Sequence, residues 1–134
     1  MLGEMMTVTI RAKADLSKRA DLFRAISHSG DFAANGREAV GLLLSNGTSG
    51  QNVTVGVCGH SKFFAIAPVS YGSALTVSTS GSIIVAAAAT HEVGMCLGAD
   101  GADAVNPTSG ALGAGFFNFA VKHYAAPGSG GAFI

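Results

Sequence analysis

Between positions 40 and 97 the chain reads Val40-Gly41-Leu42-Leu43-Leu44, then Asn52-Val53-Thr54-Val55-Gly56-Val57-Cys58-Gly59. It continues with Ala74-Leu75-Thr76-Val77-Ser78-Thr79-Ser80-Gly81-Ser82-Ile83-Ile84-Val85 and Glu92-Val93-Gly94-Met95-Cys96-Leu97. Short runs rich in β-branched residues alternate with Gly, Ser and Asn turns, the pattern of an all-β domain. Lys62 and Glu92 are the only Lys, Arg, Asp or Glu residues in this region. A strand-and-turn chain so poor in charge has few groups with which to do chemistry. Its surface is suited to lying against other protein, which predicts assembly and not catalysis.

The whole chain carries that signature. Charged residues are 12% of its 134 positions, about half the usual one in four. Eight basic groups balance eight acidic ones, and a free monomer with no net charge tends to self-associate. Neutrality also argues against a nucleic-acid partner, which calls for a basic stripe. A modest basic surplus at Arg11, Lys13, Lys18, Arg19 and Arg24 suits an acidic protein surface better than a duplex. No apolar run reaches the length of a membrane-spanning helix, and Met1–Met6 lacks the basic-then-apolar order of a secretory leader. Cys58 and Cys96 are accordingly expected as two buried thiols.

Outward from the central stretch, Met6–Ala12 alternates with period two. Having no hairpin partner beside it in sequence, it is expected as part of an extended N-terminal arm, residues 1–13, that adds to the sheet edge of a neighbouring chain. Met5, Met6, Val8, Ile10 and Arg11 are candidate contact residues of that arm. Ala14–Ser17 could cap a helix that Lys18–Ala25 continues, but Asp21–Ser27 also alternates as a strand, and the turns at Ser29-Gly30 and Asn35-Gly36 favour a strand opening a meander. Ala39–Leu44 reads as a strand buried on both faces. Asn46–Gln51 is a turn, and Asn52–Cys58 is the returning strand. Lys62–Ala67 runs into Pro68, which disfavours central pairing there. Ala74–Ser78 and Ser82–Val85 flank a hairpin turn. Glu92–Leu97 is the last core strand before a long loop, Gly98–Gly113, and then the strand Gly115–Val121. The β domain spans residues 14–124, and a flexible tail, 125–134, ends on apolar Phe133-Ile134. Val40–Leu44 is echoed by Val93–Leu97, each followed by an Asn-x-Thr-Ser-Gly turn; two copies suit related hairpins of one barrel, not a solenoid.

Reactive clusters are few. Cys58-Gly59-His60-Ser61 would need a thiolate beside an oriented base, and a core cysteine before a turn explains it better. Cys58, His60, His91 and Cys96 could supply four zinc ligands, but C-x-H has no second close pair and His91 and Cys96 differ in parity. His91 and Glu92 face opposite sides of a strand. Asp100 and Asp103 offer too few oxygens for calcium. Gly110–Gly115 lacks the Lys-Ser/Thr of a phosphate loop. No catalytic, cofactor-binding or metal residue is therefore assigned. The pairs Phe63-Phe64 and Phe116-Phe117 each send one ring to the core and one outward, where exposed aromatics mark interfaces. Phe63, Phe117 and Phe133 join the candidate contacts.

The order of these elements resembles the capsid decoration, or cement, proteins of tailed bacteriophages. The succession carries the resemblance: Ala14-Asp15-Leu16-Ser17 before a short strand, Ala39-Val40-Gly41-Leu42-Leu43, and Val53–Val57 with a Gly-rich bend after it. Gly72–Gly81 around Ala74-Leu75-Thr76-Val77, Glu92–Leu97 and Gly115–Val121 follow. The long loop Gly98–Gly113, the apolar C-terminal end and Phe63-Phe64 depart from the family pattern. The resemblance implies a small β-barrel or β-tulip-like domain on the outer capsid surface of the virion. Its partners would be the major capsid protein and two further copies of itself in a homotrimer, stapling capsomers without catalysis or cofactor. A trimeric β-rich head-fibre or adhesin domain is the alternative, although sugar binding usually wants exposed Trp or Tyr, and the chain has no Trp and two Tyr.

Overall fold

A computed structural model describes residues 5–86, 91–99, 102–103, 110–120 and 123–124. Eleven strands occur among them: β1 (Met5–Arg11), β2 (Ala25–Ser27), β3 (Ala39–Leu43), β4 (Asn52–Phe64), β5 (Ala74–Val77), β6 (Ile83–Val85), β7 (His91–Glu92), β8 (Gly94–Ala99), β9 (Ala102–Asp103), β10 (Leu112–Asn118) and β11 (His123–Tyr124). The only helical pieces described are 3₁₀ turns at Arg19–Asp21 and Thr79–Gly81. The chain is all-β, a nearly closed antiparallel barrel.

The main sheet runs β2-β3-β4-β10-β8-β5-β6, with β1 added beside β4 and β9 beside β8. An isolated parallel bridge between Ala65 and Ile83 brings the end of β4 to the start of β6, and this nearly closes the ring β4-β10-β8-β5-β6. The strand that starts at Asn52 runs on past Cys58 to Phe64, giving one strand of 13 residues where two shorter ones were expected. Gly59 stays extended because both its edges are occupied. Gly59 pairs with Met5 on one side and with Phe117 on the other.

Along β4 the side chains change allegiance at a bulge. Thr7 pairs with Gly56 and Met6 with Cys58, so Val57 is passed over in the register. One extra residue reverses which parity faces inward. Val53 and Val55 therefore belong to a small cluster with Leu16, Ile26 and Leu43, while Val57 and Phe63 belong to the barrel core with Leu42, Leu75, Ile83, Val93, Cys96 and Phe117. In that core Phe63 meets Phe117 edge-on at 5.8 Å and Phe117 stacks on Phe119 at 5.7 Å, geometries that add to burial through the ring quadrupoles.

β3 is buried on both faces, as its apolar run predicts, because Leu42 points into the barrel and Leu43 into the small cluster. What covers the small cluster is a strap. Leu16 and Gly47 exchange backbone hydrogen bonds at 2.9 and 3.2 Å, and Asn46 Nδ2 donates to the carbonyls of Leu16 and Lys18. The loop Asn46–Gln51 is thus a docking point for the strap and not a two-residue hairpin turn. The strand expected over Asp21–Ser27 is present only in its second half, Ala25–Ser27. Asp21 Oδ2 accepts from the Lys18 amide at 3.1 Å, a local side-chain bond that curls the backbone away from extended geometry. The strand starts only at Ala25.

The N-terminal segment is also corrected. Met5–Arg11, expected to seek a neighbouring chain, forms β1 along β4 of its own chain, antiparallel over seven residues. Sequence distance hid this pairing, since forty residues separate the two strands. The expected loop Gly98–Gly113 is shortened by β9 and by β10 starting at Leu112. Residue 121, the rest of that loop at 104–109, and the tail 125–134 lie outside the described residues.

The echo at Val40-Gly41 and Val93-Gly94 has a steric meaning. A Cβ on Gly41 would strike the Gly56 carbonyl oxygen and lie 2.5 Å from Val55 Cγ1; one on Gly94 would lie 2.5 Å from the Phe116 carbonyl oxygen. Each glycine lets a neighbouring strand approach closely. Gly41→Ala is expected to lower the unfolding free energy by about 2 kcal/mol or more, the scale of core overpacking. A urea melt with an unchanged midpoint would contradict that account of the β3–β4 approach.

Candidate functional site

The residues with chemical potential do not converge. His60 lies on the outer side of β4, its ring edge-on to Phe116 at 5.8 Å. Cys96 sits fully buried in the barrel core, its Sγ 3.8 Å from the Gly98 carbonyl oxygen. Cys58 is half-buried, and both thiols are free. The Ser61 hydroxyl is buried and bonded to the Lys62 carbonyl at 3.0 Å. Thr76 Oγ1 donates to the His91 carbonyl at 2.7 Å, and Glu92 is fully buried. Among the described residues no three His, Cys, Asp or Glu are grouped to hold a metal. Asp100 lies outside the described residues.

A surface is what the fold does assemble. Beyond the bulge, His60, Lys62 and Phe64 alternate with inward Ser61 and Phe63. The register sets Phe116 opposite His60 and Leu112 opposite Phe64, with Met95 on β8 beyond Phe116. The result is a partly exposed apolar and aromatic face across β4, β10 and β8. At its rim Arg24 lies over the Phe64 ring at 4.4 Å and near Phe32 at 5.7 Å, while Lys62 Nζ is 5.9 Å from the Phe23 ring, distances at which the ring quadrupole attracts a cation.

Phe23 holds this corner. Its backbone is left-handed, with φ of 66°, a strained region for a bulky residue. Its amide donates to the Leu43 carbonyl at 2.8 Å and its carbonyl accepts from the Phe64 amide at 3.2 Å. Arg24 Nε donates to the Ala20 carbonyl at 3.0 Å. The surrounding bonds impose the conformation and fix the guanidinium over the ring.

The candidate contact residues fall into three groups. Met6 and Val8 are exposed, at 68% and 44%. Met5 and Ile10 are half-buried against the barrel core and the small cluster respectively, and Arg11 is exposed with Nε donating to the Gly50 carbonyl at 3.2 Å. Phe63 and Phe117 are a correction, because both are wholly buried and cannot touch a partner of the folded chain. The outward members of the two pairs are Phe64 and Phe116. The signal was present: Lys62 shares parity with Phe64, and Asn118 with Phe116, so the polar residue marks the solvent side. Phe133 lies outside the described residues.

The two cysteines should behave differently. Burial pushes the Cys96 thiol above its ordinary value of 9.0, partly offset by the Gly98 contact. A folded-state value above the unfolded one makes the unfolded chain lose its proton first, so this contribution to stability is complete below pH 9 and declines above it. Alkylation of the native protein near pH 8 is expected to modify Cys58, while Cys96 reacts only on unfolding. Modification of Cys96 in the folded chain at a rate matching Cys58 would refute its placement.

No family model matches this chain, and no curated protein matches it in sequence. Among solved structures it is similar to the head fiber gp8.5 N base in bacteriophage phi29. The TM-score is 0.62 at 16% identity, over 90% of this chain and 100% of that one. At so low an identity the likeness is one of fold, and it extends over nearly the whole of both chains.

Proposed function

We propose that this chain is a non-catalytic structural protein of a bacteriophage head, seated on the outer surface of the shell against the major capsid protein and other copies of itself. The observation that carries this reading is the correspondence of its fold, over 90% of its length, with a phage head-fibre base. Two features support it. The charge-poor composition suits a surface covered by protein. The outer face of β4, β10 and β8 offers Phe116 and Met95 beside Arg24 and Lys62, aromatic and cationic residues of the kind enriched at interfaces.

In this reading the bound protein cements the shell. A ligand that binds the assembled shell but not its separated parts stabilises the assembly by mass action, about 2.7 kcal/mol per site at 100 times its dissociation constant. Many sites multiply a modest contact into resistance to internal pressure. A second reading, favoured by the similar structure's being the N base of a head fibre, is that the barrel is the base on which a fibre stands.

Particles lacking the protein are expected to release their DNA at lower temperature than decorated ones, and adding it back should restore the difference. Phe116→Asp should weaken attachment to the shell at least tenfold without lowering the melting temperature by more than a few degrees. Equal heat stability with and without the protein would remove the cementing role and leave the fibre base. Absence of the protein from purified particles would remove both readings.

A further inference from the structure

The free edge of β1 is the feature of the molecule with the least structural explanation. One edge of β1 pairs with β4, and among the described residues no strand or backbone hydrogen bond occupies the other from Met5 to Ile10, the Gly30 backbone lying against it only at the Arg11 carbonyl. Sheet edges in soluble proteins are ordinarily blunted by charge, proline, a bulge in the edge strand or very short length. β1 has none of these through its middle. It is seven residues long, the bulge beside it lies in β4, and its single charge, Arg11, is at its end. Met6, Thr7, Val8 and Thr9 are all exposed.

We propose that β1 pairs antiparallel with β1 of a second copy of this chain, about a two-fold axis at Val8. The argument is the sequence Met6-Thr7-Val8-Thr9-Ile10, whose side-chain types read the same in both directions. Centred on Val8, the pairing sets Val8 against Val8, Thr7 against Thr9 and Met6 against Ile10. Apolar residues meet apolar ones and threonines meet threonines, the cross-strand combinations that stabilise an antiparallel ladder. A shift by one residue sets Val8 against threonine. Centring on Thr9 brings Arg11 opposite Thr7 and sets exposed Met6 against Ala12, which is already buried at 2% exposure. Only the Val8-centred register matches every pair from Met6 to Ile10.

A two-fold contact uses the same patch on both subunits, so one self-complementary strand is enough to build it. It joins the two sheets into one and covers Met6 and Val8, the exposed apolar residues of this edge. A single strand pair is small beside a standard interface, so the dimer is expected to be weak and dependent on concentration. It is also a different assembly from the homotrimer that the family resemblance implies, and it needs no shell.

Sedimentation of the full chain from micromolar to near-millimolar concentration tests this. The weight-average mass is expected to rise from one chain toward two. Val8→Lys places two ammonium groups face to face, and Val8→Glu two carboxylates. Each variant alone should remain at the mass of one chain over the same range. An equal mixture of the two should recover the two-chain mass, because opposite charges then face each other, and this recovery shows that both variants are folded. A wild-type chain that stays single, a three-chain mass indifferent to Val8→Lys, or a mixture that fails to recover pairing would each overturn the proposal.

Discussion

The fold depends on one strand that has more neighbours than a strand can ordinarily serve. β4 is paired with β1 along its first part, with β3 at Val55 and Gly56, and with β10 from Cys58 to Phe64. It manages this by length and by one bulge. Before the bulge its odd-numbered valines face the small cluster; after it the odd-numbered Val57 and Phe63 face the barrel. A strand without the extra residue would send Phe63 to the surface and Lys62 to the core. The cost of burying that ammonium unpaired would be several kcal/mol. The bulge is what allows one chain segment to wall two cores.

From β4 the remaining elements take their places. β3 is squeezed between the barrel and the small cluster, which is why it is small or apolar throughout and why Gly41 sits where the β4 backbone presses closest. The strap from Ala12 to Leu22 carries no ladder of its own. It is held instead by the Leu16–Gly47 bridge and by Asn46, and it shields Val53, Val55 and Leu43 from water. Phe23 accepts backbone strain at the junction, and its two hydrogen bonds tie β3 to the far end of β4. The outer face beyond the bulge follows from the same geometry, since the parity that buries Phe63 and Phe117 also presents Phe64, His60 and Phe116.

The small number of charged groups acts on two levels. Within the fold, turns are satisfied by backbone and by Asn, Ser and Asp side chains in short local bonds, such as Asn35 Oδ1 accepting from the amides of Arg37 and Glu38. The Asp15 carboxyl, held below its ordinary value chiefly by the hydroxyl and amide of Ser17, belongs to such a turn. On the surface, cations lie over aromatic rings at Arg24 and Lys62.

The sequence by itself determined the fold class and most strand positions, because period-two alternation and Gly/Asn/Ser turns are local properties. The hairpin around Thr79–Gly81, the doubly buried run Ala39–Leu43 and the inward–outward split of each phenylalanine pair were all legible. Which phenylalanine turned inward was also written there, in Lys62 and Asn118, but only to a reader who let the polar neighbour decide. The tertiary structure alone decided the partner of β1, the continuity of β4 through Gly59 and the bulge at Val57. Each of these depends on strands far apart in sequence meeting at a given register. A hydrogen-bond ladder forms between backbones that look alike whatever their side chains, so nothing local in Met5–Arg11 names Asn52–Gly59 as its mate. The strand expected over Asp21–Ser27 begins only at Ala25, because the Asp21 carboxylate bonded to the Lys18 amide and the left-handed turn at Phe23 outweigh alternation. Local pattern gives a segment its preference for being a strand; only the closed arrangement of all the strands assigns it a neighbour.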